Sequence, residues 1–209
     1  MLHRTPFFLP LLYPGLLWRM PADKKEIYLT FDDGPVPGPT EFVLDELKKH
    51  NLSSTFFCIG DNIGKHPDLF KRIISEGHVV ANHTFNHLKG WQTATTTYLD
   101  NINKCDQMIA AHSALPTAKY FRPPYGRITR EQIKKLSNKK IVMWDVLTRD
   151  YDATLAPAHC LKQSLAATRS GSIVVFHDSL KAEKNLTAVL PKYIEACLAQ
   201  GYTFTAFRE

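Results

Sequence analysis

The sequence predicts an α/β fold in which parallel strands alternate with helices. Short apolar runs recur along the chain, and segments of helical periodicity separate most of them. The runs are rich in β-branched and aromatic residues with little polar alternation, which is typical of strands buried on both faces. In chain order, the seven predicted strands are residues 27–31, 55–59, 78–81, 119–121, 141–146, 172–176 and 202–207. Strand–helix alternation predicts right-handed crossovers, and it leaves open whether the sheet is doubly wound or closed into a barrel.

The segments between the strands carry helix start and stop signals. Residues 41–50 begin with an acidic side chain and end with three basic ones, which complements the helix dipole. Pro67 fits the first turn of a second helix, and Gly77 ends it. Thr129 and Gln132 have the spacing of a capping box at the start of another helix.

Two longer helices complete the alternation. Apolar residues recur at a mostly helical period between positions 91 and 114. The last helix is predicted over residues 185–200, where Gly201 supplies a stop signal before the seventh strand. Neither a linker nor a repeat interrupts the pattern, so we expect one domain.

The composition excludes several other classes of protein. The chain has 209 residues, of which 44% are hydrophobic, so it can bury a sizeable core and is not intrinsically disordered. Its four cysteines are too sparse for a disulfide scaffold. The net charge is +6, but the basic residues are spread along the chain, which argues against nucleic-acid binding. No apolar run reaches the roughly 18 residues of a membrane span.

The N-terminal segment has two interpretations. Arg4 followed by the apolar stretch 7–18 loosely resembles a signal peptide. Two prolines and a glycine interrupt that stretch, Arg19 closes it, and no small-residue cleavage site follows. We therefore expect residues 1–25 to form an irregular segment packed on the domain, and we favour a cytoplasmic location over the cell envelope or export.

Polar residues that could take part in catalysis or metal binding follow the predicted strands at their C-terminal ends. In parallel α/β sheets and barrels, that edge holds the active site. The residues concerned are Asp32, Asp33, His83, Arg122, Asp150 and His177. The sequence therefore predicts that they converge on one rim.

The pair His83 and His87 is the most specific of these signals. If the segment is helical, a spacing of four places both imidazoles on one face, close enough to share a metal ion. Alone, such a pair is more often two unrelated surface histidines. Asp33 would add a carboxylate, and a set of three ligands leaves one position open for water, as in catalytic zinc sites.

The doublet Asp32 and Asp33 is the second signal. Adjacent carboxylates repel each other, so a cation on one and Arg122 near the other would keep both ionised. One carboxylate could then bind a metal while its neighbour accepts a proton from water. The alternative is a simple turn, because Asp-Gly-Pro is also ordinary turn chemistry.

His177 follows a strongly apolar strand, and its pKa range suits proton donation to a leaving group. Asp150 could hydrogen-bond it and keep it protonated. The alternative is a structural histidine. We assign no site role to the other six histidines, and we expect Cys58 to be a core residue.

Five blocks of this sequence together resemble the polysaccharide deacetylases of carbohydrate esterase family 4. They are Thr30-Phe31-Asp32-Asp33-Gly34-Pro35, His83-Thr84-Phe85-Asn86-His87, Arg122-Pro123-Pro124-Tyr125-Gly126, the region 144–151, and Val175-Phe176-His177. The resemblance implies a distorted (β/α)₇ barrel and a catalytic domain over residues 26–209. It also implies removal of acetyl groups from N-acetylated sugars of a polysaccharide or oligosaccharide with one divalent metal. We expect zinc, with cobalt or nickel as alternatives.

The resemblance also implies a role for each matching residue. Asp32 corresponds to the family's general base, whereas Asp33, His83 and His87 correspond to its metal ligands.

In the later blocks, Arg122 corresponds to the residue that orients the base, and Tyr125 to the one whose backbone N–H binds the oxyanion. His177 corresponds to the general acid, with Asp150 as its partner.

The fourth block departs from the family pattern. Leu147 stands at the position of an aspartate and Tyr151 at that of a tryptophan, whereas Asp150 is retained. We place Tyr151, Val175 and Pro124 in the wall of the substrate pocket. The departures at Leu147 and Tyr151 therefore bear on substrate preference.

Several other functions are alternatives to deacetylation. A metal-dependent phosphodiesterase often uses a second metal cluster, which the sequence lacks. The two carboxylates of a glycosidase lie about 5 Å or more apart, on either side of the glycosidic bond. Adjacent residues are poorly suited to that separation. A carbohydrate-binding domain without turnover and an O-acetyl esterase remain as alternatives. The sequence specifies neither the glycan nor the oligomeric state.

Overall fold

A computed structural model describes residues 3–113 and 119–207 of the chain. The strands in these ranges are Glu26–Asp32 (β1), Thr55–Cys58 (β2), Val79–Asn82 (β3), Tyr120–Phe121 (β4), Lys140–Ile141 (β5), Val146–Leu147 (β6), Ile173–His177 (β7) and Thr203–Phe204 (β8). The helices are Phe8–Leu12 (α1), Pro39–Lys49 (α2), Gly60–Lys65 (α3), Pro67–Ser75 (α4), Thr95–His112 (α5), Arg130–Lys135 (α6), Pro157–Ala167 (α7) and Glu183–Ala199 (α8).

Seven strands form one curled parallel sheet with the order β5-β4-β3-β2-β1-β7-β6, and β8 pairs with the start of β1. Thr30 of β1 lies opposite Thr55 of β2 on one side and opposite Val175 of β7 on the other. The predicted α/β class and the implied distorted (β/α)₇ barrel are confirmed. The parallel order brings the C-terminal ends of the central strands to one edge.

The predicted strand over residues 141–146 is wrong as a single element. It divides into β5 and β6, which lie at opposite edges of the sheet. Between them the backbone changes partners: Val142 donates to the carbonyl of Phe121 beside β4, whereas Asp145 donates to that of Ile173 in β7. An apolar run looks the same whether it pairs with one neighbour or two, so periodicity did not show the change.

Most of the predicted helices are confirmed. The helices expected near residues 41–50, 67–77 and 185–200 correspond to α2, α4 and α8. Thr129 and Gln132 form the expected capping box at α6. Helix α5 begins later than predicted, at Thr95, and the predicted end at Ala114 lies outside the described residues.

Helices α1, α3 and α7 were not predicted. The first two are only 5 and 6 residues long, and α7 begins without a side-chain cap. Among the helices described, none combines the length and apolarity needed to cross a bilayer.

The N-terminal segment pairs with both edges of the sheet. Leu17 forms a parallel bridge with Val142 next to β5, and Arg4 forms an antiparallel bridge with Val146 in β6. The Arg4 side chain also donates to the carbonyl of Ala167 at the end of α7. The segment before β1 therefore connects the two edge strands of the sheet, β5 and β6.

Aromatic packing fills the inside of the curled sheet below the rim. Phe207 is buried and stacks on Tyr120 and Tyr28, with ring centroids 4.9 and 5.7 Å apart. Its backbone N–H donates to Thr55 Oγ1 at 3.0 Å. Tyr28 lies four residues before Asp32 on the same face of β1, because side chains alternate along a strand. This packing supports the strands from which the polar rim projects.

Candidate active site

The sheet brings the predicted polar residues to one rim. Asp32 ends β1 and His177 ends β7, and the two are register partners in neighbouring strands. His83 follows β3 and Arg122 follows β4. Asp150 lies three residues after the end of β6, which is one of the two strands into which the predicted strand 141–146 divides. The expected convergence on the C-terminal edge is therefore present in the structure.

Asp33, His83 and His87 form a compact group at this rim. The Oδ1 atom of Asp33 lies 3.2 Å from His87 Nε2 and 3.7 Å from His83 Nε2. All the ligand-type atoms of the group lie within 4.8 Å of one another. In the described ranges, no other group of three His, Cys, Asp or Glu residues meets this criterion.

The two histidines do not converge on the face of a helix. Residues 83–87 form a loop, and Thr84 and His87 have left-handed φ values of 64° and 55°. Asp33 likewise has a φ of 84°. Such conformations are uncommon for residues other than glycine and are maintained by surrounding contacts. Backbone turns, not helical periodicity, bring the imidazoles together.

The donor atoms of this group fit a divalent cation. His83 Nδ1 lies 2.8 Å from the carbonyl oxygen of Arg122, which can only accept, so Nδ1 carries the proton and Nε2 offers its lone pair to the group. Burial lowers the pKa of His83 to about 4, which keeps the imidazole in its neutral, ligating form.

Asp33 supplies an oxygen donor to the same position. Its Oδ1 atom is buried and has no hydrogen-bond partner among the residues described. Burial alone would raise the pKa of Asp33, but His87 and the nearby histidines His177 and His83 lower it overall. An ionised, buried oxygen facing imidazole nitrogens is what a bound cation would satisfy.

Asp32 lies beside this group and has a different partner. Arg122 Nη1 donates to Asp32 Oδ1 at 2.6 Å, and both side chains are buried. The same guanidinium donates to Thr30 Oγ1 and to the carbonyl of Met143. The other oxygen of Asp32, Oδ2, lies 3.9 Å from His83 Nε2. Arg122 therefore holds one oxygen of Asp32, and the other oxygen lies on the side of His83.

His177 is bound to Asp150 through two contacts. His177 Nδ1 lies 2.7 Å from Asp150 Oδ1, and the His177 backbone N–H donates to Oδ2 at 2.7 Å. Burial would lower the pKa of His177, but the charge and hydrogen bond of Asp150 raise it to about 9. The imidazole is thus protonated near neutral pH and can donate a proton.

The loop after β1 is held by residues that sequence reasoning missed. Asn62 Nδ2 donates to the carbonyl of Asp33 at 2.8 Å. Asp178 accepts from the Gly34 backbone N–H at 3.0 Å and from Thr40 Oγ1 at 2.6 Å. Burial raises the pKa of Asp178 to about 8. The position of Asp178 directly after His177 was the only signal that the sequence contained.

The predicted pocket residues lie around the same rim. Tyr125 is exposed with a left-handed φ of 60°, and its ring centroid is 4.6 Å from that of His87. Pro124 is buried beside it. Tyr151 packs edge-on against His177 with centroids 4.9 Å apart. An aromatic ring therefore lies beside His177 at the position that departs from the family pattern.

The two remaining positions lie within the sheet. Val175 is buried in β7 and shares its face with His177, because the two are separated by two positions on one strand. Leu147 is its register partner in β6 and is also buried. An apolar side chain is accommodated where the family pattern has an aspartate.

Comparisons with known proteins give a consistent result. Residues 19–144 match the family model described as polysaccharide deacetylase. The chain is 37% identical over 161 residues to a peptidoglycan-N-acetylglucosamine deacetylase of Bacillus cereus, with 76% of this chain and 58% of that relative covered. It is 35% identical over 175 residues to a chitooligosaccharide deacetylase of a Bradyrhizobium strain, with 82% and 78% covered.

The fold is also similar to that of a solved structure. The crystal structure of a peptidoglycan N-acetylglucosamine deacetylase superposes with a TM-score of 0.86 at 31% identity. The superposition covers 97% of this chain and 95% of the other. The similarity therefore extends beyond the motifs to nearly the whole chain.

Proposed function

The chain belongs to the polysaccharide deacetylase family, and from this premise we propose that it hydrolyses the acetamide of N-acetylglucosamine-type residues in a peptidoglycan- or chitin-like glycan. The observation that carries the proposal is the Asp33, His83 and His87 group with the carboxylate of Asp32 beside it. A ligand group and an adjacent proton acceptor are what metal-assisted hydrolysis of an amide requires.

Asp33, His83 and His87 would hold one divalent cation. Two imidazoles and one carboxylate suit zinc, with cobalt or nickel as alternatives. When bound, the cation supplies Lewis acidity, which polarises the acetyl carbonyl and lowers the pKa of a neighbouring water.

Asp32 acts as the general base in this proposal. It accepts the proton of the attacking water through the oxygen that Arg122 does not hold. The bond from Arg122 Nη1, together with the guanidinium's contacts to Thr30 and Met143, fixes the carboxylate in position. Because the arginine side chain is fully buried, its charge acts on Asp32 with little screening by water.

Tyr125 and His177 act on the other atoms of the acetamide. The backbone N–H of Tyr125 donates to the oxyanion, a type of contact whose loss costs about 10²–10³ in rate. His177 donates its proton to the departing nitrogen, so that a free amino sugar and acetate leave. Asp150 keeps His177 protonated and oriented until that step.

The proposal is tested by assaying acetate release from N-acetylglucosamine oligomers by the purified chain. Release that stops with chelator and returns with added zinc supports the proposal, and the metal content of the purified protein identifies the native ion. Binding of the oligomers without acetate release would instead indicate a carbohydrate-binding domain. Release from O-acetylated xylan oligomers alone would indicate an O-acetyl esterase.

A further inference from the structure

Two exposed aromatic rings belong to the chain segments that also carry candidate site residues. Tyr125 is 54% exposed and Trp91 is 60% exposed. The Tyr125 ring lies against the metal-ligand candidate His87, and Trp91 follows His87 by four positions, in the short 3₁₀ helix Gly90–Gln92. We call Trp91 and Tyr125 the aromatic platform. Large exposed aromatic rings beside a catalytic rim offer an apolar surface on which a further sugar ring can pack.

The segment that carries Trp91 is fixed in place by hydrogen bonds. Gly90 N–H donates to the carbonyl of Arg127 at 3.1 Å, and Trp91 Nε1 donates to that of Ile128 at 2.9 Å. Gln132 Nε2 donates to the carbonyl of Gly90 at 3.0 Å. A Cβ atom at Gly90 would overlap the Arg127 carbonyl, so the two chain segments approach closely. A ligand would therefore meet a platform that is already ordered, which lowers the entropic cost of binding.

Each ring of the platform also carries a cation. Lys89 Nζ lies 5.0 Å from the centroid of the Tyr125 ring, and the Arg127 guanidinium carbon lies 4.4 Å from that of Trp91. Lys89 and Arg127 are both exposed. Over the described part of the chain, neither forms an ion pair with a carboxylate. The rings hold two positive charges in place, and in residues 3–113 and 119–207 no acidic side chain pairs with either.

From this geometry we propose that the aromatic platform with Lys89 and Arg127 is a subsite for a carboxylate-bearing sugar next to the residue that is deacetylated. The inference rests on the proposed function and adds a substrate preference to it. A neutral chitin-like glycan needs only the ring faces. A carboxylate additionally matches the guanidinium fork of Arg127 and the ammonium group of Lys89. Peptidoglycan strands without stem peptides have this chemistry, because the lactyl carboxylate of every second sugar is then free instead of amide-bonded.

The test compares three tetrasaccharides as substrates: an N-acetylglucosamine tetramer, a tetramer alternating N-acetylglucosamine and N-acetylmuramic acid, and the same compound with its carboxylates converted to amides. We expect the KM of the acidic compound to be about fivefold to tenfold lower than that of its amide, a range typical of a partly exposed charged contact. In Arg127→Gln, this difference should shrink to less than about twofold, and the KM for the acidic compound should rise by a larger factor than the KM for the neutral tetramer.

Two further variants separate the charge from the rings. Arg130→Gln removes the same charge from another exposed residue three positions along, and it should preserve the preference for the acidic compound. Trp91→Ala should raise the KM for both the acidic and the neutral substrate, because ring packing does not depend on charge.

Three results would overturn the subsite. They are equal KM values for the acidic compound and its amide in the wild type, an equal effect of Arg127→Gln on acidic and neutral substrates, and the same loss of preference in Arg130→Gln. Turnover of neither glycan by the wild type would instead refute the proposed function, which makes the two failures distinguishable.

Discussion

Asp32 and His177 are register partners at the ends of the neighbouring parallel strands β1 and β7. Each has a buried partner of opposite charge: Arg122 lies 2.6 Å from Asp32, and Asp150 lies 2.7 Å from His177. Side chains at paired positions of parallel strands project from the same face. One edge of the sheet therefore presents a carboxylate beside an imidazole, and each is held by its own partner.

The pH dependence of turnover should reveal the His177–Asp150 pair. Asp150 outweighs the effect of burial and raises the pKa of His177 to about 9, so a proton-donating His177 is lost as pH rises through that value. In Asp150→Asn, the alkaline limb of the kcat profile should move to lower pH by about one unit or more. Asp152→Asn, which alters a carboxylate paired with Arg149, is the matched control. An unmoved limb in Asp150→Asn would contradict the role of the pair.

The His177–Asp150 pair should also make the free energy of unfolding depend on pH. Because the folded-state pKa of His177 lies above the unfolded value of about 6.5, the pair stabilises the fold fully below that pH. Its contribution should be lost as pH rises through about 9. Urea unfolding across this range should show a smaller decline for Asp150→Asn than for the wild type.

Removing either imidazole of the ligand group should abolish metal retention. We expect His83→Ala and His87→Ala to lose both bound metal and acetate release, because each leaves only two ligands for the ion. Metal content after dialysis and acetate assays measure the two effects. His66→Ala, at the start of α4, should retain both. Full metal content in either ligand variant would contradict the assigned ligand set.

Asp32→Asn should separate metal binding from turnover. The variant keeps the shape of the side chain but removes the proton acceptor, so the metal should remain while kcat falls by about 10²–10⁴. Removal of the charge also leaves Arg122 buried without its counterion, and unfolding should be measured in parallel. Folded, metal-loaded protein with near wild-type turnover would rule out Asp32 as the base.

Gly34→Ala should destabilise the loop that carries Asp33. A Cβ atom at Gly34 would overlap the carboxylate of Asp178, which is itself fixed by Thr40. We expect a loss of about 1–3 kcal/mol in the free energy of unfolding, as for other overpacked sites. Gly64→Ala is the control, because its Cβ would meet only the flexible end of Met108. Equal stability of the two variants in urea would show that the Asp178 contact is not constraining.

The sequence by itself determined the fold class and the side of the sheet on which the chemistry lies. Buried parallel strands appear as apolar runs, and the polar residues Asp32, His83, Arg122 and His177 follow such runs directly. Since parallel strands end at the same edge, their convergence followed from order along the chain alone. The capping box at Thr129 could likewise be predicted from the sequence, because it depends only on residues three positions apart.

Only the tertiary structure decided how these groups meet. The His83 and His87 imidazoles converge through left-handed turns instead of a helix, and residues 141–146 divide between two edges of the sheet. The buried contact of Asp178 with Gly34 and the cation on the Trp91 ring also join segments distant in sequence. Local periodicity records which face of an element is apolar, but pairing partners and ring contacts are selected by the packing of the whole chain.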